Sequence, residues 1–283
     1  MLRNFISAWP ILFLLGCQKS GKASTDTNSF LFDSIPVTTQ LIPQLNEVSG
    51  IADSKINPGC LWAQEDSGNP PAIHLIRHDG HLVKSMHIAN VTNRDWEDLC
   101  LCNGHLYIGD LGDNNLLYNQ YTIYRFAEPV ASTDTVRNVE SISFTYPDGS
   151  HDAEAFVVDS ASNDIFIITK RDNPSRVYKL SYPFSTTNQA SLVTTLPYSG
   201  VVSAAVSPDR KEMIIKTYTT LYGYNLKTSL PFAQAFSDAY VNIRYQLEPQ
   251  GEAVGFGRSN TGFYTLSEKG FGNVVNLYFY PRR

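Results

Sequence analysis

The stretch RDWEDLCLCNGHLYIGDLGDNN (94–115) decides the fold. An acidic turn, Asp95-Trp96-Glu97-Asp98, leads into an apolar strand, Asn103-Gly104 reverses it, a second apolar strand follows over His105–Ile108, and Gly109–Asn115 is polar again. Asn-Gly between apolar segments is a strong hairpin signal, because a two-residue turn there requires positive φ. Antiparallel neighbours run in opposite directions, so the two polar turns share one end of the pair and gather oxygen-bearing side chains on one rim.

The same unit recurs along the chain. NEVSGIAD (46–53) precedes CLWAQEDSGN (60–69), HDAEAFVVD (151–159) precedes DIFIITKRDN (164–173), GVVSAAVSPD (200–209) precedes EMIIKTYT (212–219), and QGEAVGFG (250–257) precedes GFYTLSEKG (262–270). With Ser49, Glu97, Glu154, Ser203 and Glu252 as marks, successive units begin 48, 57, 49 and 49 residues apart. The first four units continue with a third strand and usually a fourth. The last has only VVNLYFY (274–280), while SIPVTTQLIP (34–43) stands unassigned ahead of the first unit. Pairing the early strand with the last unit closes a ring. Four-stranded units at a period of about 50 residues, without long helical patterns between them, predict an all-β, five-bladed β-propeller. A six-bladed ring is the alternative, given the 57-residue spacing and the loosely patterned segment 229–247. A two-sheet sandwich would not require polar turns at the same end of every unit.

Composition narrows the function classes. The 283 residues are 42% hydrophobic, enough for a sizeable core. The formal charge is −5 and no run of Lys or Arg occurs, so the electrostatic footprint of a nucleic-acid polymer is missing. Metal ions and small-molecule or glycan ligands fit better, and a monomer is expected. At the N-terminus, Arg3, the apolar Phe5–Leu15 and then Leu14-Leu15-Gly16-Cys17 resemble a bacterial lipobox, in which the cysteine is lipidated. The organisation expected is a signal peptide over 1–17, a flexible polar tether over 18–33 and the propeller over 34–283. Cys17 then anchors the protein to a membrane of the bacterial envelope, on the periplasmic or outer surface. Cys60, Cys100 and Cys102 remain, an odd number that permits one disulfide, from Cys60 to either of the others, or buried free thiols.

In a propeller the first strand of each blade lines the central channel, and the turns entering it open on the same face as the turns after the second strand. Glu97, Glu154 and Glu252 would begin inner strands, where like charges repel unless a cation or solvent intervenes. Three carboxylates with the hydroxyls of Ser49 and Ser203 offer hard oxygen ligands. Such a set suits Ca2+, which takes about 6–8 oxygens in loose geometry, better than Mg2+. The histidines show no metal-binding spacing.

The order Ser49, Glu97, Glu154, Ser203, Glu252 at blade starts resembles the calcium-dependent apyrases (soluble calcium-activated nucleotidases), five-bladed propellers with a channel calcium. The turn Gly109-Asp110-Leu111-Gly112, the pair Lys170-Arg171 and the turn Gly200–Ser203 add local likeness. The resemblance covers roughly residues 34–283 but consists of short motifs. Asp-Trp-Glu-Asp-Leu and Asp-Ala-Glu-Ala also look like a group of uncharacterised secreted bacterial propellers. The resemblance implies hydrolysis of a phosphate ester or anhydride. Lys170, Arg171, Lys216 and Lys269, with Asn114, would then hold phosphates, and Asp66, Asp110 or Asp113 would position water. Two other functions fit the same residues: a non-catalytic module that binds a glycan, peptide or protein and uses calcium structurally, and a glycoside hydrolase with paired mouth carboxyls. Asp66-Ser67-Gly68-Asn69 and Asp113-Asn114-Asn115 also have the composition of ordinary tight turns.

Overall fold

The computed structural model describes residues 30–269 and 274–283. The lipobox, Cys17 and most of the tether lie outside them. Five antiparallel sheets are arranged in a ring. From channel to rim, blade 1 is Val48–Asp53, Cys60–Glu65, Ala72–Arg77 and Leu82–Ile88, and blade 2 is Trp96–Cys102, His105–Asp110, Tyr121–Ala127 and Glu140–Thr145. Blade 3 is Ala153–Val158, Ile165–Thr169, Arg176–Leu180 and Ser191–Thr195, and blade 4 is Val201–Val206, Glu212–Thr217, Leu221–Asn225 and Tyr240–Ile243. Blade 5 is Gly251–Phe256, Gly262–Ser267 and Asn276–Pro281, completed by Val37–Gln40. That last pairing runs from Val37 opposite Phe279 to Gln40 opposite Asn276, so the expected ring closure is present.

Burial follows from strand periodicity. Successive side chains of a strand point to opposite faces, and every blade has a neighbour on each face. The apolar run Ile165–Ile168 therefore feeds two cores: Ile165 and Ile167 pack between blades 2 and 3, while Phe166 and Ile168 pack between blades 3 and 4. Three further apolar clusters fill the interfaces of blades 1 and 2, 5 and 1, and 4 and 5. Each of the five junctions thus has its own core, and no sixth sheet occurs among the described residues.

The two irregular segments become parts of this ring. Before blade 2's outer strand, Thr135–Val136 pairs in parallel with His87–Ile88 of blade 1, which accounts for the long spacing there. In blade 3, Asn188–Gln189 pairs likewise with Phe144–Thr145 of blade 2. In blade 4, the loosely patterned segment 229–247 forms a 3-10 turn over Phe232–Ser237 and then the outer strand Tyr240–Ile243. The packed domain reaches back before residue 34: Phe32 is buried in the blade 4–5 core and bridges to Arg282. Cys60, Cys100 and Cys102 are all free thiols.

Candidate functional site: the acidic mouth of the channel

Each inner strand begins with a β-bulge, an extra residue that breaks the pairing register and re-aims a side chain. The shifts fall between Val48 and Gly50, Trp96 and Leu99, Ala153 and Ala155, Val201 and Ser203, and Gly251 and Ala253. Ser49, Glu97, Glu154 and Glu252 occupy these bulges. In blade 4 the bulge holds Val202, and Ser203 stands one residue further along the channel.

Three bulge carboxylates converge. Lys170 Nζ contacts Glu154 Oε1 and donates to the Tyr218 hydroxyl at 3.0 Å, and that hydroxyl donates to Glu252 Oε1. This chain joins blades 3, 4 and 5. Beside it, carboxylate oxygens of Asp66, Asp95 and Glu97 lie within 4.8 Å of one another. Local structure positions each of them. Asn93 Nδ2 donates to the Glu65 and Asp66 carbonyls at 3.0 and 2.8 Å, fixing the Asp66 turn. Asp110 Oδ1 accepts the Asp95 amide at 2.9 Å. Gly112 passes so close to the Asp95 and Glu97 carboxyls that a side chain there would overlap both.

The charge is poorly compensated. Burial, reinforced by Glu154 and Asp66, holds the Glu97 carboxyl well above the usual range. Burial with the charges of Asp95 and Glu252 pushes Asp66 up to about 7, against the pull of the Ser67 amide. Burial next to Glu252 and Asp66 pushes Glu268 up to about 8. Burial raises Glu154 too, although Lys170 opposes it, and Glu154 Oε2 is buried with no hydrogen-bond partner among the described residues. Burial alone would lower Lys170, but the Glu154 carboxylate overrides it and keeps the ammonium charged.

The remaining sequence candidates are spread over several roles. The Ser49 hydroxyl donates to the Trp96 carbonyl at 3.2 Å and accepts Gln64 Nε2 at 2.7 Å, tying blade 1 to blade 2. Asp113 accepts the Leu117 and Tyr118 amides at 2.7 and 2.9 Å and the Tyr121 hydroxyl at 2.8 Å, so its oxygens shape their own loop. Arg171 reaches Asp152 at 2.7 Å and also contacts Asn114. Lys216 is fully buried, 3.7 Å from Glu248 and 4.7 Å from the centre of the Tyr245 ring, rather than open to the mouth. Burial lowers its pKa, with Glu248 opposing. Lys269 is exposed. Among groups outside the ligand and catalytic candidates, Asp95 and Glu268 belong to the acidic cluster. Their position in the polar turns is the signal that could have found them. Glu248 carries no repeat signal, since it lies in the irregular segment before blade 5.

No family model matches this sequence, and no curated protein matches it. Among solved structures, the chain is similar to Kuenenia stuttgartiensis hydrazine synthase at 14% identity and a TM-score of 0.44, covering 82% of this chain and 71% of that one. It is similar to U3-55K at 9% identity and a TM-score of 0.40, over 82% and 67% of the two chains. A nidogen/laminin complex gives 9% identity and a TM-score of 0.46, over 78% and 72%. Likeness at this level carries no functional argument, and the five-bladed ring rests on the chain's own strand pairing.

Proposed function

We propose that the protein is an envelope lipoprotein, acylated at Cys17, whose propeller binds calcium at the acidic channel mouth and presents a ligand-binding face there. The observation that carries this reading is the meeting of Asp66, Asp95 and Glu97 within 4.8 Å, beside a buried and unpartnered oxygen of Glu154. Carboxylates held this close in partial burial need a compensating charge, and an all-oxygen donor set matches a hard cation. Of the expected ring of ligands, Glu97, Glu154 and Glu252 supply carboxylates. Ser49 and Ser203 support the strands that carry them.

The ion's main role in this reading is to hold the mouth together while a glycan, peptide or protein docks on it. One observation favours this over phosphate chemistry: Lys170, Arg171 and Lys216 already face Glu154, Asp152 and Glu248. Hydrolysis of a phosphate ester or anhydride is the second reading, in which Asp66, a carboxylate when calcium is bound, would orient the attacking water. Calcium, when bound, would offset the charge of an anionic substrate.

Calorimetric titration with calcium should give one saturable site that weakens at least ten-fold in Glu97→Gln. Unchanged binding in that variant overturns the reading. Calcium-dependent phosphate release from a nucleotide panel, lost in folded Asp66→Asn, would select hydrolysis over binding.

A further inference from the structure

The channel is closed at its waist. Asp98 accepts the Leu99 amide at 2.9 Å, the Ala204 amide at 3.1 Å and the Ser203 hydroxyl at 3.2 Å, and the Ser203 oxygen accepts the Val254 amide at 3.2 Å. On the far side from the acidic mouth, the channel opens into a cavity of about 550 Å³. This volume lies within the range of about 300–1,000 Å³ common for small-molecule sites. Every blade contributes an apolar wall residue: Ile51, Leu101, Val158, Val206 and Phe256.

The rim has a sign. Asp53 also lines the cavity, but its carboxylate is engaged by His78 Nε2 at 2.8 Å and by the Arg258 amide at 2.6 Å. Lys55 and Arg258 are exposed lining residues. One terminal nitrogen of Arg258 donates to the Lys55 carbonyl at 2.6 Å, which fixes the guanidinium at the edge. Its other terminal nitrogen and the Lys55 ammonium have no protein partner among the described residues. A well walled by apolar side chains of all five blades, with Asn103, Ser160 and Ser207 among them and two available cations at its lip, is complementary to a molecule with an apolar body and an anionic head.

We propose that this cavity binds a small anionic amphiphile of the medium-chain carboxylate class, with the hydrocarbon in the channel and the head at Arg258 and Lys55. The buried methylenes supply affinity, and the rim cations fix orientation and select the head. The waist around Asp98 forms the floor, so the ligand stays apart from the acidic mouth.

The test is calorimetry on the full chain with decanoate, decanol and decyltrimethylammonium below their micellar concentrations. Decanoate should bind saturably at one site, decanol at least ten-fold more weakly, and the cationic amphiphile without saturation. The double variant Lys55→Glu, Arg258→Glu changes only exposed positions. It should weaken decanoate at least ten-fold while circular dichroism and calcium affinity stay unchanged. Absence of saturable decanoate binding, equal binding of the cationic amphiphile, or an unaffected double variant each overturns the proposal. Because calcium is measured separately, failure here is distinguishable from failure of the acidic-mouth reading.

Discussion

Ser203 of blade 4 donates its hydroxyl proton to Asp98 of blade 2 at 3.2 Å, across the channel and past the intervening blade 3. The same carboxylate receives two backbone amides. Asp98→Ala would leave those amides buried without an acceptor. An unmet buried polar group costs about 1–3 kcal/mol, so a loss of about 3 kcal/mol or more is expected in urea unfolding. Ser203→Ala, which removes one donor, should cost about 1 kcal/mol. Equal, small losses for both variants would mean that the waist contributes little to holding the blades.

The acidic mouth sets a pH dependence whose sign differs from that of ordinary carboxylates. Asp66 and Glu268 rise to about 7 and about 8, above their values in an unfolded chain, so the folded state binds more protons than the unfolded state between about pH 4 and 8. Stability of the metal-free protein should therefore fall as pH rises through that window. Calcium should reverse the trend, because deprotonated carboxylates bind it and protons are released on binding. Thermal melts at pH 5.5 and 7.5, with chelator and with calcium, measure both slopes.

Lys170 and Glu97 should affect calcium in opposite directions. Removing the Lys170 ammonium in Lys170→Met takes away the cation that competes for Glu154. Calcium affinity should rise several-fold, while the metal-free protein loses about 3–5 kcal/mol from an uncompensated buried carboxylate. Glu97→Gln should lower affinity instead. Parallel titrations of the two variants, with unfolding curves in chelator, separate the effects.

Ring closure can be tested at the strand Val37–Gln40. A chain shortened to begin at residue 44 loses that pairing and the nearly inaccessible side chain of Leu41. Loss of a buried leucine alone costs about 2–5 kcal/mol. The shortened chain should melt at much lower temperature and expose the edge of Asn276–Pro281, visible as concentration-dependent aggregation.

Blade number, strand order and the closing strand were legible in the sequence because they follow from a repeat of turn chemistry and apolar runs. The site was legible only in part. Glu97, Glu154 and Glu252 could be read as channel residues from their place in the repeat. Ser203 looked equivalent to them, yet the bulge falls on Val202, and a bulge shifts register by one residue without changing composition. Lys216 resembled an open cation because its neighbours are mouth residues. Its burial against Glu248 depends on a segment with no repeat to align. Asp113 has the composition of both a site residue and a loop cap, and only its three donors identify the latter role. The amphiphile cavity was illegible for a different reason: in a strand, residues that line an apolar channel look the same as those that fill a core.

The parallel pairings of Thr135–Val136 and Asn188–Gln189 bind blade 1 to blade 2 and blade 2 to blade 3 along their outer edges. Across the seam from blade 5 to blade 1, Ile42 bridges to His81. Blade 4 has no such strand pairing to either neighbour among the described residues; the Gly200 amide on the Lys170 carbonyl at 2.9 Å and side-chain contacts such as Arg210 with Asp159 and Arg282 with Glu212 border it instead. Under heat or tension the circle should therefore part beside blade 4 first, leaving the other four as a hinged arc.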